Sequence, residues 1–387
     1  MTESTPPAVS VVIPTYNRRK RVRQAVASVL AQTFQDLEVI VIDDGSEDGT
    51  GEDLAGLDGR VRYRWQANRG VAAARNHGIR LARAPVVAFL DADNRWLPDH
   101  LEVLVALLDG HPDARLASTS PEFTVSGDER PQDARLIDPM PAELLSNRTG
   151  YVSGVAVRRD ALIEVEGFDE RLEVGEDDDL WLRLAMRGRF ATVRRRTIVR
   201  RHTRSGLADR GRRSGVYTEA NAVSLRRVKA ELERMPGRPD REELLAHARG
   251  RLHVLAAVAA LERGDLGAAR EELARACALL PVLERNPGPI LAQLWKSAHG
   301  RAALQRRVET AAAVMPNPSC HSTLFFRGYA AAKSLMRGRL WQAGRLVFRR
   351  PHLVRPDFLA KAYRPALVLV QRRLAASVHG RRVSEIS

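Results

Sequence analysis

A chain of 387 residues is long for one domain and ample for two, and an apolar content of 44% is enough to build a sizeable core. Two distant cysteines, Cys277 and Cys320, make neither a disulfide framework nor a zinc site, so a reducing compartment is the expectation. The net charge of +15 is unevenly spread: residues 1–200 carry 27 Lys+Arg against 32 Asp+Glu, and residues 201–387 carry 35 against 15.

Residues 1–8, MTESTPPA, have neither a basic start nor an apolar stretch, and no run of 18 apolar residues follows. Neither a signal peptide nor a membrane span is therefore expected. Residues 9–118 alternate short apolar runs with helix-like stretches. Val9–Ile13 reads as a buried strand, Arg18–Ala31 as a helix, Leu37–Ile42 and Val61–Trp65 as the next strands. Val71–Ala82 reads as a helix, Pro85–Leu90 as a fourth strand and Leu97–Leu108 as another helix. This rhythm predicts an α/β fold, a mostly parallel sheet with helices on both faces. Residues 119–150 carry four prolines and read as an irregular segment. Tyr151–Val157 is expected as a strand, Asp179–Arg187 as a helix and Phe190–Arg201 as a last strand.

In such a sheet, ligands bind beyond the carboxyl ends of the strands, which directs attention to residues 14–17, 43–50, 66–70 and 91–94. VIVIDDGSEDGT (39–50) ends an apolar strand in Asp43 and Asp44. A base edge, a ribose hydroxyl or a cation would partner such carboxylates; the alternative is a solvated turn in which Asp48 caps the next helix. FLDADN (89–94) ends another strand in Asp91 and Asp93, two apart and able to face one ligand. Hard oxygen donors suit Mg²⁺ or Mn²⁺, which in turn holds a diphosphate. In NRGVAAARNHG (68–78), Gly70 permits close backbone approach, and Arg75 and Asn76 could reach the diphosphate side of the cleft. No Gly-Lys-Ser/Thr follows, so this is not a P-loop. EVGEDDDLWLRL (173–184) sets four acidic residues, Glu176–Asp179, before an amphipathic helix. Some serve the helix dipole, a role that suits Asp179; Asp177 or Glu176 is the candidate general base. His202, in VRRHTRSG (199–206), could complete a metal site.

Taken in order, VSVVIPTYNR (9–18), VIDDGSEDGT (41–50), NRGVAAARNHGI (68–79), FLDADN (89–94), GFDE (167–170) and GEDDDLWLR (175–183) resemble the inverting family-2 glycosyltransferases with the GT-A fold, over roughly residues 8–205. The resemblance implies roles. The backbone around Pro14, Thr15 and Tyr16, with Asp44, would hold the nucleotide base, commonly uracil, and Asp43 would support that turn. Asp91 would face the ribose or metal and Asp93 would be the main metal carboxylate. Asp177 would be the catalytic base, and Asp179, Trp181 and Arg183 would shape the acceptor side. His202 would stand near the metal or diphosphate. The implied substrates are a nucleotide-diphospho-sugar, a UDP-sugar first, and a glycan, glycolipid or protein acceptor. The processive members' Gln-x-x-Arg-Trp motif is absent, which implies addition of one sugar or a few.

Beyond about residue 211 the texture turns to Ala, Leu and Arg at helical spacing, predicting a tail (1–8), a catalytic domain (9–210) and a basic α-helical region (211–387). LERGDLGAAR (261–270) is similar to LMRGRLWQAGR (335–345), the pattern of a helical-hairpin repeat. Residues 321–387 interleave 14 Lys+Arg with apolar residues, which suits either an anionic membrane surface or the wet face of a bundle. No nucleic-acid module is recognisable, and no nucleic-acid partner is expected. The expected location is cytoplasmic, peripheral at the inner face of the cell membrane if lipid is met. Two rivals stand beside this reading. A nucleotidyltransferase would open with a Gly-rich loop where Pro14-Thr15-Tyr16-Asn17 stands; a scaffold with a dead site would lack Asp44, Asp93 or Asp177.

Overall fold

The computed structural model of the chain describes residues 5–119, 132–137, 151–199, 216–281 and 283. Strands β1 (Val9–Thr15) and β2 (Leu37–Asp43) are buried at every position, because each lies between two neighbours and is covered on both faces. β1 pairs in parallel with β2 and with β4 (Val86–Phe89), and β2 with β3 (Val61–Trp65). The sheet is completed by β6 (Ala114–Thr119), β7 (Gln132–Ile137), β8 (Val155–Arg158) and β9 (Arg189–Arg194), in the order β3-β2-β1-β4-β8-β6-β9-β7. The short β5 (Arg95–Trp96) and β10 (Ile198–Val199) form a separate antiparallel pair.

Alternation along β1 and β2 divides the core. Val9, Val11, Ile13, Val39 and Val41 face one cluster with α1 (Arg19–Leu30) and α4 (His100–Gly110). Val12, Ile40 and Ile42 face the other, with α3 (Val71–Leu81), α5 (Arg159–Glu164) and α6 (Glu176–Ala185). Gly78 lets α3 lie close on β1: a Cβ there would meet Val12 Cγ1 at 2.3 Å. The second cluster also takes Ala222, Leu225, Val228 and Leu232 of α7 (Val216–Glu233) and Leu244 and Leu255 of α8 (Arg241–Arg263), so one core crosses the division expected at 210/211.

Four expectations are corrected. Val152–Gly154 is a 3₁₀ turn that delivers Ser153 to the sheet's carboxyl edge, so β8 starts only at Val155. Phe190–Arg201 divides into β9 and β10, with Arg195–Thr197 between them, where the chain leaves the sheet to pair with β5. The segment read as irregular contains β7, the edge strand antiparallel to β9. The acidic run is itself the first turn of α6, not a lead into it. The short α2 (Thr50–Leu54) and α5 were not expected, being only about a turn long.

α8 is long and apolar enough, by length and composition, to cross a bilayer, yet 56% of its apolar window is buried in this fold. It ends at Gly264, and Asp265 caps α9 (Leu266–Leu279) through Ala268 N–H. The first copy of the suspected repeat is thus a helical hairpin; the second copy and the basic segment 321–387 lie outside the described residues.

Candidate active site

The expected loops gather at the carboxyl edge of β1, β2, β3 and β4. After β1, Asn17 takes a positive φ of 50° and donates its N–H to Ser46 Oγ at 2.7 Å, while its Oδ1 accepts from Glu47 N–H at 2.9 Å. The loops after β1 and β2 are thereby one unit. Pro14 and Thr15 are buried, and Tyr16 is 49% exposed over an open cleft of about 520 Å³. Thr15 Oγ1 is buried and has no hydrogen-bond partner among the described residues, an orphan that a polar ligand edge would satisfy.

Asp43 supports its turn as expected, accepting from Ser46 N–H at 2.8 Å and from the Tyr63 hydroxyl at 2.7 Å. Burial, and then that bond, pushes the Tyr63 phenol up. Asp44 accepts from Gln66 Nε2, Arg69 N–H and Gly70 N–H at 2.7, 2.9 and 2.8 Å. It holds the turn that starts α3, and Gly70 has φ 90° there with open space on its Cβ side. The N-cap position of α2 is Gly49, and Asp48 beside it accepts both the Thr50 hydroxyl at the start of α2 and Arg19 N–H at the first turn of α1.

At the end of β4, Asp91 N–H and Asn94 Nδ2 both donate to Ser153 Oγ, and Trp96 Nε1 donates to the Ser153 carbonyl at 2.7 Å. This fully buried serine pins the Asp-x-Asp turn. Asp93 lies within 3.3 Å of Arg18, and burial and the neighbouring Asp91 charge still push its carboxyl up. It also lines a small cavity of about 70 Å³ with Arg21, Gln24, Ala92, Asn94, Arg95 and Val199. Two carboxylates on one turn are hard oxygen donors of the kind that a divalent cation takes. Among the described residues no three ligating side chains converge, and His202 lies outside those residues. Mg²⁺ typically binds by one or two carboxylates plus substrate phosphates, so two protein ligands suffice.

Arg75 and Asn76 are both engaged by groups of the protein itself. Arg75 is 4% exposed; its Nη1 donates to Glu176 at 2.6 Å, its Nη2 to Asp91 at 2.8 Å, and its guanidinium lies 5.2 Å from the Phe168 ring centroid. It joins the Asp-x-Asp turn to the acidic turn of α6. Asn76 clasps the GFDE segment, exchanging hydrogen bonds with Phe168 N–H and C=O at 2.8 Å each and donating to Glu170 at 3.0 Å.

The acidic turn is asymmetric. Glu176 is held by Arg75, and Asp178 by the Tyr217 hydroxyl. Asp179, 1% exposed, is held by Arg183 Nε at 2.7 Å and Arg227 Nη1 at 3.0 Å. Asp177 accepts only from Asp178 N–H, at 2.9 Å, and has no side-chain partner among the described residues. Burial, Glu176 and Asp178 push its carboxyl well above the ordinary range, against an opposing pull from Arg75. The acceptor-side expectations are corrected: Asp179 and Arg183 tie α6 to α7 and to the Val165 carbonyl, and Trp181 is 1% exposed in the core. Asp179 and Arg183, four residues apart, share one face of α6, and Trp181 lies on another face that is also covered.

Arg18, Ser153, Tyr217 and Arg227 were not expected. An arginine after PTYN, a serine in a strand-like run and two residues on a distant helix carry no local signal; only the tertiary contacts reveal them.

Comparison with known proteins agrees with this architecture. The family described as "Glycosyl transferase family 2" matches residues 10–172, a span that stops short of the acidic turn. An uncharacterized glycosyltransferase of Rickettsia felis is 42% identical over 103 residues, 26% of this chain and 17% of that protein. The uncharacterized glycosyltransferase EpsJ of Bacillus subtilis is 41% identical over 91 residues, 23% of this chain and 26% of that one. The chain thus spans about a sixth to a quarter of these relatives' length. The S. aureus TarS 1-349 structure in complex with UDP-GlcNAc superposes with a TM-score of 0.51 at 17% identity, covering 88% of this chain and 90% of that one; the likeness shows the GT-A fold. With its ordered motifs on that fold, the stretch 10–172 of this chain is similar to glycosyl transferase family 2.

Proposed function

We propose that this chain transfers a sugar from a nucleotide-diphospho-sugar to an acceptor hydroxyl, with inversion and with Asp177 as the base. The observation that carries the reading is the asymmetry of the acidic turn: Glu176, Asp178 and Asp179 each have a side-chain partner, and Asp177, with its raised carboxyl, has none among the described residues. A carboxylate with enhanced proton affinity, joined through Glu176 and Arg75 to the Asp-x-Asp turn, suits general-base work near neutral pH. Glu176, the other candidate, is occupied by Arg75.

The acceptor oxygen bonds to the anomeric carbon as the bond from that carbon to the diphosphate oxygen breaks. The acceptor proton passes to an Asp177 oxygen, and the nucleoside diphosphate leaves. Thr15, whose buried hydroxyl is free among the described residues to take a polar ligand edge, and the exposed Tyr16 would meet the base, and Asp44 orders the turn before α3. Asp93, with Asp91, would hold Mg²⁺ or Mn²⁺. When bound, such an ion stabilises negative charge on the leaving diphosphate. A UDP-sugar is the first donor to try, since TarS was solved with UDP-GlcNAc. The acceptor is a glycan, glycolipid or protein of cell-envelope or glycoconjugate synthesis. On this reading the enzyme works in the cytoplasm, at the inner face of the membrane where the acceptor is lipid-linked.

The test is a panel of nucleotide sugars with and without Mn²⁺ or Mg²⁺, read as thermal protection and donor hydrolysis. One donor should protect the wild type in a metal-dependent way, and Asp93→Ala should abolish that protection. Asp177→Asn should keep protection but lose about 10²–10⁴-fold in hydrolysis. No response to any donor would sink the enzyme reading and leave a binding or scaffold role.

A further inference from the structure

The acidic turn of α6 is completed from α7, a helix beyond the stretch that matches the family. Tyr217, in the first turn of α7, donates its hydroxyl to Asp178 Oδ2. Ten residues on, Arg227 reaches both oxygens of the buried Asp179 at 3.0 and 3.1 Å, and its Nη2 donates to Asp169 at 2.5 Å. Between these anchors Ala222 and Leu225 enter the same core cluster as Leu180, Trp181 and Leu184. The stretch of α7 from Tyr217 to Arg227 is therefore fixed against α6 by packing and by two polar contacts at successive acidic residues. The carboxylate left between the ties made by Arg75 and Tyr217 is Asp177.

We propose that Tyr217 is a positioning residue for the sugar transfer, its hydroxyl fixing Asp178 and so the turn that presents Asp177. The proposal rests on the reading of Asp177 as base. Asp177 is faced by Glu176 and Asp178 on its own turn and by Arg75 from α3, which also holds Asp91 at the end of β4. From α7, Tyr217 acts on it through Asp178, while Arg227 is engaged with Asp169 and Asp179. A hydroxyl donated to Asp178 offsets part of the negative charge that this neighbour turns on Asp177.

Removing that hydroxyl leaves Asp177 facing a fuller negative charge, so it holds its proton to higher pH. Removing the Asp178 charge does the opposite. Donor hydrolysis as a function of pH, with UDP-GlcNAc as the first donor, should place the acidic limb of Tyr217→Phe about half a unit or more above the wild type, and that of Asp178→Asn about one unit below it. Tyr217→Phe should also lower kcat by about tenfold with KM for the donor unchanged, since the donor pocket is untouched. A Tyr217→Phe limb that overlies the wild type, or that moves the same way as Asp178→Asn, overturns the proposal. Asp178→Asn keeps the tyrosine packing and decides the matter if Tyr217→Phe fails to fold; an unmoved limb there is equally fatal. Should wild type hydrolyse no donor, the base reading fails separately. NMR titration of ¹³C-carboxyl aspartate in the full chain, with Asp177→Asn as the assignment, then measures the same shifts without activity.

Discussion

Asp177 takes its charge-averse character from what is withheld from it. Its neighbours in the acidic turn are each given a cation or a hydroxyl, and burial with like charge does the rest. Such a group weakens the fold at working pH. Its folded-state carboxyl titrates above the ordinary 3.8, so above that value the unfolded chain releases the proton more readily. Stability is therefore lost as pH rises from the ordinary carboxylate range through the raised value. Asparagine has nearly the same shape and no charge to desolvate. Asp177→Asn is expected to melt at a higher temperature than wild type at pH 7.5, with the gap closing toward pH 4. Equal melting temperatures at pH 7.5 would mean that Asp177 is not held in a charge-averse environment. The sequence placed four carboxylates in a row but could not distribute them: it assigned Asp179 to a helix-dipole role or the acceptor side, whereas two arginines from separate positions bury it.

Legibility changes with the range of the contact. Strands β1, β2 and β4 follow from short apolar runs and β3 from its polar alternation, and the loops beyond them drew attention because ligands bind a parallel sheet at the carboxyl ends of its strands. β7 was missed because an edge strand with Gln, Asp and Arg carries no continuous apolar run, and Asn76 was misread because its partners lie 92 to 94 residues away. Its amide spans α3 and the GFDE segment, and the fit is close. Gly167 sits at φ 67°, and a Cβ there would meet Asn76 Oδ1 at 2.4 Å. Asn76→Ala should leave the buried N–H and C=O of Phe168 unpaired and cost about 2–4 kcal/mol in urea unfolding. Gly167→Ala should destabilise through both the clash and the left-handed backbone, by about 1–3 kcal/mol. If Asn76→Ala unfolds at the wild-type urea concentration, the clasp adds nothing to stability and a ligand-facing role for Asn76 is reopened.

For the whole molecule, the change in sequence texture near residue 211 is not a change of core. Leu225, Val228 and Leu232 of α7 are each 1% exposed or less, in one cluster with Leu180, Trp181 and Leu184 of α6 and, through Phe89 and Val12, with the sheet itself. Burying such a side chain contributes about 1.5–3 kcal/mol, and a domain's whole stability is about 5–15 kcal/mol. Three of them, with the Arg227 ties to Asp169 and Asp179, are therefore comparable to everything that keeps the α/β part folded. We propose that the smallest folded catalytic unit runs from residue 9 to at least Glu233, not to residue 210. A chain ended after residue 210 should give no cooperative thermal transition and should bind a hydrophobic dye, because Trp181 and its neighbours lose their cover. Leu225→Asp in the full chain should reproduce much of that loss, since a charge in this cluster has no partner. A sharp, reversible transition from the shortened chain would show instead that the sheet and its own helices suffice. The α7 contacts to the acidic turn would then tune the site without holding the fold.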